Sequence, residues 1–394
     1  MLNKMTSTER RASASLASIM SLRMLGLFMI LPVFSLYTSH LQNATPLLIG
    51  FAMGVYGLTQ GIFQIPFGML SDQFGRRKII TFGLLIFIVG SIIAARTDTI
   101  QGMMIGRALQ GTGAVGSTII AMMADFTREE QRTKAMAIAG MTIGMSFALA
   151  MMLGPLFANW INIFWLAAIF GAFAIVLLFT WVPKPLAAVW HADTEPELTQ
   201  FSTLLKEPEL LRLNAGIFIL HAVLTASFVI LPLTLQQLAG LQGKQQWLLY
   251  LPTLLLAFIL SIPFIILAEK HRQIKPYFLG AILTLGMAEL LLWFFAHNLL
   301  LSAVGLLLFF TAFSLLEAFL PSLVSRTAPR SRKGTALGIY SCSQFLGIFV
   351  GGWISGWLYG AFGLTDVYLF CVILLGLWLA IAFNMKKPHY PQNN

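Results

Sequence analysis

The sequence predicts an all-α membrane protein with twelve transmembrane helices in two pseudo-symmetric six-helix bundles. Three observations predict it: the composition, the spacing of the apolar segments and an internal repeat. Of 394 residues, 58% are hydrophobic and 10% charged, and the mean hydropathy is +0.81. A soluble domain carries about 25% charged residues. The net charge of +10 would suit a nucleic-acid binder, but the bases sit in short loops between apolar runs, where membrane topology accounts for them. The expected surroundings are therefore a lipid bilayer, with no nucleic-acid partner.

Apolar segments of bilayer-crossing length, about 20 residues, fall at 15–37, 46–71, 79–96, 100–124, 133–157, 161–182, 210–236, 246–268, 275–296, 298–323, 334–359 and 364–385. The first follows Lys4, Arg10 and Arg11. It is too long for a signal-peptide core and no cleavage pattern follows it, so it reads as a retained helix. Alternate loops hold Arg76, Arg77 and Lys78, then Arg128, Arg132 and Lys134, then Lys270, Arg272 and Lys275, then Arg326, Arg330, Arg332 and Lys333. The opposite loops offer little beyond Arg96 and Lys244. That bias predicts both termini in the cytoplasm. Cys342 and Cys371 lie inside spans and imply neither a disulfide framework nor a metal site.

The long connection, 183–209, is polar and bears Pro183, Pro185, Pro196 and Pro208. It reads as a cytoplasmic linker between bundles 1–182 and 210–394. Ile30-Leu31-Pro32 returns 200 residues later as Ile230-Leu231-Pro232. Ile65-Pro66-Phe67 returns as Ile262-Pro263-Phe264, each followed by an acid-led loop, at Asp72 and at Glu269. The basic loop at Arg128, Arg132 and Lys134 matches that at Arg330, Arg332 and Lys333. Two parallel halves are a known transporter plan, with the substrate site between them near the midplane.

Gly68-Met69-Leu70-Ser71-Asp72-Gln73-Phe74-Gly75-Arg76-Arg77-Lys78 joins the second and third spans. A solvated turn with positive-inside charge explains the bases but not Asp72, Gly68 or Gly75, whose glycines permit close approach and tight reversal. This stretch resembles the signature loop between helices 2 and 3 of the major facilitator superfamily. Ile105-Gly106-Arg107-Ala108-Leu109-Gln110-Gly111-Thr112-Gly113 resembles its helix-4 motif, and Leu22-Arg23-Met24-Leu25-Gly26 with Leu31-Pro32 is similar to helix 1 of drug/proton antiporters. Gly140, Gly144 and Gly154-Pro155 partly resemble the antiporter motif of helix 5, but Leu156-Phe157 follow where closing glycines are usual. The chain stops soon after the twelfth span, so regulation by the small C-terminal domain of some relatives is not expected.

The resemblance implies that helices 2 and 11 meet across a cytoplasmic gate. Asp72 would there cap helix 11, whose positive dipole end starts near Gly334, and Arg76 would pair with Asp125 to hold Asp72's helix. Gly68, Asp72, Gly75, Arg76 and Asp125 form the expected latch. Ionisable residues inside spans suggest function by default. They are Arg23, Arg107, His221, Glu289 and Glu317. Family architecture lines the cavity with helices 1, 4, 7 and 10, which leaves Glu289 on helix 9 as a packing residue. Glu317 and His221 are expected to carry protons, against the alternative of a structural hydrogen bond. Arg107 is expected either to serve that proton site or to bind substrate, with satisfaction of helix carbonyls as the plainer reading. Arg23, Gln60, Gln64, Tyr250, Tyr340 and Gln344 complete the expected cavity lining, although most tyrosines and glutamines at such positions are packing residues.

There is no phosphate-cradling loop, metal-ligand cluster or nucleophile–base pair, so neither an enzyme nor a cofactor is expected. The expectation is a monomeric, proton-coupled secondary transporter of the bacterial inner membrane, exporting small amphipathic molecules. A facilitator or symporter, or a membrane sensor that moves nothing, stays open.

Overall fold

A computed structural model describes residues 5–158, 162–183, 204–329 and 332–386. Most of the expected linker and Arg330 lie outside these residues. The described chain is helical and falls into two units.

The first unit comprises Met1–Phe34, Leu41–Asn43 and Leu58–Thr194. Helix α1 (Ser7–Phe28) opens on a capping box, in which Thr6 and Glu9 satisfy each other's backbone N–H groups. It packs against α7 (Glu129–Phe157) and α8 (Ile163–Thr180). Helix α4 (Arg76–Arg96) packs against α5 (Ile100–Thr112) and α8. Glu129 and Glu130 lie in the first turn of α7, where acids meet the positive dipole end. Asn162 caps α8 by accepting from Phe164 N at 3.0 Å.

Two expected spans are interrupted. The first breaks at residues 29–33 into α1 and the short α2 (Phe34–Thr38), where Pro32 has no N–H to continue the ladder. The fourth breaks between α5 and α6 (Gly116–Asp125). Gly113 ends α5 at φ −68°, ψ 50°, and a Cβ there would meet Phe87 Cβ at 3.2 Å. The close approach to α4 therefore requires glycine.

The second unit comprises Ser35–His40, Ala44–Gly57 and Glu195–Asn394. Helix α3 (Pro46–Phe74) thus belongs to this unit through Gly57 and to the first from Leu58 onward. Helix α9 (Pro208–Gln237) is central: 94% of its most apolar window is buried, as an all-round apolar helix demands. Against it pack α12 (Leu299–Thr327), α13 (Lys333–Ala361) and α14 (Asp366–Phe383). Helices α10 (Trp247–Lys270) and α11 (Ile274–Phe294) close on α12.

Glycines set the distances around α13. A Cβ on Gly351 would stand 2.6 Å from Ala222 Cα of α9, and one on Gly352 would stand 2.7 Å from Gly50 O of α3. Helix α13 therefore presents one glycine row to α9 and another to the first half of α3, the small-residue packing usual between membrane helices. Prolines inside α3, α7, α9, α10 and α12 are tolerated because membrane helices re-satisfy the freed carbonyls locally. Among the described residues, ten helices are long and apolar enough to span a bilayer. Together with α1/α2 and α5/α6, they account for the twelve expected crossings.

Candidate functional site

In the second unit, three helices bring polar side chains into the apolar interior. His221 of α9 is buried, with Nε2 3.4 Å from Glu317 Oε1 of α12. Gln344 of α13 places its Nε2 2.7 Å from the same ring nitrogen. Phe313 closes one side of the imidazole at 5.8 Å between centroids, and Tyr340 is buried one turn before Gln344. The spacing works because His221, Glu317 and Gln344 each lie mid-helix, and glycine contact holds α13 close to α9. Glu317 and His221, singled out in the sequence, are thus brought together. Gln344, expected to line a cavity, joins them. Tyr250 stands apart, fully buried against Phe228 and donating to Gln246 Oε1 at 3.2 Å.

Glu289 of α11 is fully buried and receives the Ser227 hydroxyl at 2.7 Å, so it packs against α9.

In the first unit, two arginines are buried around α4. Arg23 donates from Nη2 to Gln60 Oε1 at 2.6 Å, and Gln60 passes a hydrogen bond to Gln64 at 3.0 Å. The Arg23 guanidinium lies 5.9 Å from the Phe87 ring centre. Arg107 donates to Gln110 Oε1 at 2.8 Å, and Gln110 donates to Ser91 Oγ one turn beyond Phe87. Phe34 faces the Arg107 guanidinium at 5.7 Å. Such desolvated cation–π pairs are worth about 2 kcal/mol. Arg23 is thus linked to Gln60 and Gln64, and Arg107 through Gln110 of the helix-4 motif to Ser91, which the sequence did not single out.

At the α3–α4 turn, Arg76 pairs with Asp72 and reaches Asp125 Oδ2 at 3.2 Å. Ser71 was missed: its Oγ accepts from Arg76 Nη1 at 2.6 Å and donates to Gly68 O at 2.6 Å. Gly75 has φ +96°, ψ 135°, so a side chain there would be strained. Gly68 differs, since a Cβ there would have only Ser117 Oγ near it, at 3.9 Å. In the second unit the corresponding acid, Glu269, pairs with Arg326 at 2.6 Å.

Glu9 is a further polar site, one not singled out in the sequence. Beyond its capping box, its carboxylate accepts from Arg128 N, Nε and Nη2 at 3.0, 2.9 and 3.1 Å. A threonine followed three residues later by glutamate, just before an apolar run, was the signal available.

The Major Facilitator Superfamily profile matches residues 16–272 and 213–394. The chain is 46% identical over 390 residues to the inner membrane transport protein YajR of Escherichia coli K12, covering 98% of this chain and 86% of that protein. It is 35% identical to an uncharacterized transporter of Buchnera aphidicola subsp. Schizaphis graminum, over 98% of this chain and 99% of that one. Among solved structures, a bacterial homolog of the human lysosomal transporter Spinster, inward-facing and occupied, superposes with a TM-score of 0.80 at 14% identity. That alignment covers 98% of this chain and 100% of the other.

Proposed function

The chain belongs to the major facilitator superfamily, a family of transporters rather than enzymes, and from that premise we propose that it exports small amphipathic molecules in exchange for protons. The observation that carries the proposal is the His221–Glu317 pair, a buried imidazole 3.4 Å from a half-buried carboxyl within apolar helices. Ionisable groups at such depth are costly and mark ion pathways. One charge crossing 100 mV supplies about 2.3 kcal/mol, enough to concentrate a neutral substrate tens-fold. Arg107 supports the proton site electrostatically. Arg23, Gln60, Gln64, Tyr340 and Tyr250 belong to the substrate path in this reading.

Gly68, Asp72, Gly75, Arg76 and Asp125 serve as the latch that biases which side is open, with Asp72 capping α13 in the cytoplasm-closed state. Asp72→Asn then weakens that state, and labelling of the inner mouth rises. Unchanged labelling removes the latch. The protein works as a monomer in the inner membrane with both termini cytoplasmic.

The test is flux in proteoliposomes under an imposed pH gradient. Export by exchange moves substrate against the proton flow, and Glu317→Gln abolishes that movement while leaving folding intact. Movement with the protons would make it a symporter, equilibration alone a facilitator, and no flux a sensor. Full uphill transport by Glu317→Gln removes Glu317 from the mechanism.

A further inference from the structure

Two groups compete for one nitrogen at His221. Nε2 lies 2.7 Å from Gln344 Nε2 and 3.4 Å from Glu317 Oε1. An amide nitrogen carries two N–H donors and no acceptor, and a neutral imidazole has one bare nitrogen. With the amide nitrogen facing the ring, Nε2 is the bare, accepting atom and the ring hydrogen is on Nδ1. A proton passing from the Glu317 carboxyl breaks its O–H bond and forms an N–H bond at Nε2, leaving carboxylate and imidazolium. An N–H then faces an N–H. Half a turn of the amide brings Gln344 Oε1 to the same place as an acceptor.

We infer that Gln344 is a positioning residue that reads the proton on His221, one amide face holding the bare ring and the other the charged ring. This rests on the proposed proton coupling. Glycine contacts set α13 directly against α9 on either side of His221, where a Cβ on Gly347 would stand 3.0 Å from Phe218 Cα and one on Gly351 2.6 Å from Ala222 Cα. The moves that answer the new proton are a turn of the amide or a slide of α13. The adjoining glycine row, Gly352 and Gly356, seats on Gly50 and Gly54 of α3, so a slide reaches that helix directly. Toward the middle of the helices around His221, the other titratable groups are Tyr340 and Cys342 of α13, Cys371 of α14, and Glu289 of α11, while Lys333, Tyr359, Arg326, Asp366, Tyr368, Lys275 and Tyr277 lie toward the helix ends. Of these, Glu289 and Cys371 gather around Ser227, further along α9.

The experiment is nitrogen NMR of histidine-labelled full-length protein in nanodiscs, with the resonance lost in His221→Asn identifying the ring. The wild type should show the hydrogen of its neutral ring on Nδ1. Gln344→Met, similar in length but without donor or acceptor, should populate both tautomers. Gln344→Glu, an acceptor only, should move the midpoint of the pH–flux profile by about one unit, a tenfold change in proton affinity. A wild-type neutral ring carrying its hydrogen on Nε2 overturns the inference without any variant. So does an unchanged tautomer in Gln344→Met together with an unmoved profile in Gln344→Glu. Wild-type flux indifferent to the pH gradient, by contrast, overturns the proposed function, and the tautomer measurement reads Gln344 independently of flux.

Discussion

Glu9 sits before the membrane span, and its carboxylate collects the backbone N–H of Thr6 and three donors from Arg128. The Arg128 guanidinium beside it holds this carboxyl well below the usual carboxylate range, outweighing the opposing effect of burial. A depressed folded-state value means the contribution to stability is complete above the unfolded value, about 4.3, and is lost as pH falls through the folded one. Glu9→Gln should therefore melt several degrees below wild type at neutral pH, and the gap should close on acidification below about pH 4. Melting curves across that range check it, and a gap independent of pH would show that charge is not the cause. The residues legible beforehand were those whose cost announces them: ions in apolar spans, such as Glu317 and His221. Ser71, Gln110 and Ser91 are ordinary helix residues by type. Only the contact made by a neighbouring helix gives them a role.

At the scale of elements, the same sequence cue produced different outcomes. Pro32 ends α1, whereas Pro232, in the repeated tripeptide, lies inside a continuous α9. The proline removes one donor in both places; burial of α9 on all sides keeps that helix continuous across the gap, and sequence periodicity does not report such burial. The glycines of α13 were visible as letters, but their two directions were not. A substitution series separates them. Gly351→Val and Gly54→Val place a Cβ 2.6 Å from Ala222 Cα and from Phe349 O respectively, and each should cost about 1–3 kcal/mol as overpacking against backbone. Gly286→Ala in α11 has nothing within 4 Å and should be neutral or stabilising by up to about 1 kcal/mol. Thermal unfolding in one detergent ranks all three. A loss at Gly286 as large as at Gly351 would mean that close backbone approach does not set the order.

Over the whole molecule, the repeat extends from sequence into chemistry. Arg77, at the start of α4, donates to Val182 O at 2.9 Å and to Pro183 O at 3.2 Å, capping the end of α8. Lys275, 198 residues on and at the start of α11, donates to Phe383 O at 2.8 Å and Met385 O at 2.7 Å, capping the end of α14. In each unit, then, a loop base that membrane topology alone explains also satisfies the orphan carbonyls of the last helix. The acid–base brackets repeat with their signs exchanged: Arg76 with Asp125 in one unit, Glu269 with Arg326 in the other. The sequence made the repeat legible through proline tripeptides and loop charge, but partner identity depends on which helix ends meet. Because each cap closes within its own unit, Arg77→Met and Lys275→Met should each cost about 1 kcal/mol. Combined, they should add to within about 0.5 kcal/mol, as independent sites do. Melting of the two single variants and the double variant measures this. A double variant markedly worse than the sum would mean that the ends of the two repeats are energetically coupled, and the halves could no longer be treated as separately capped bodies.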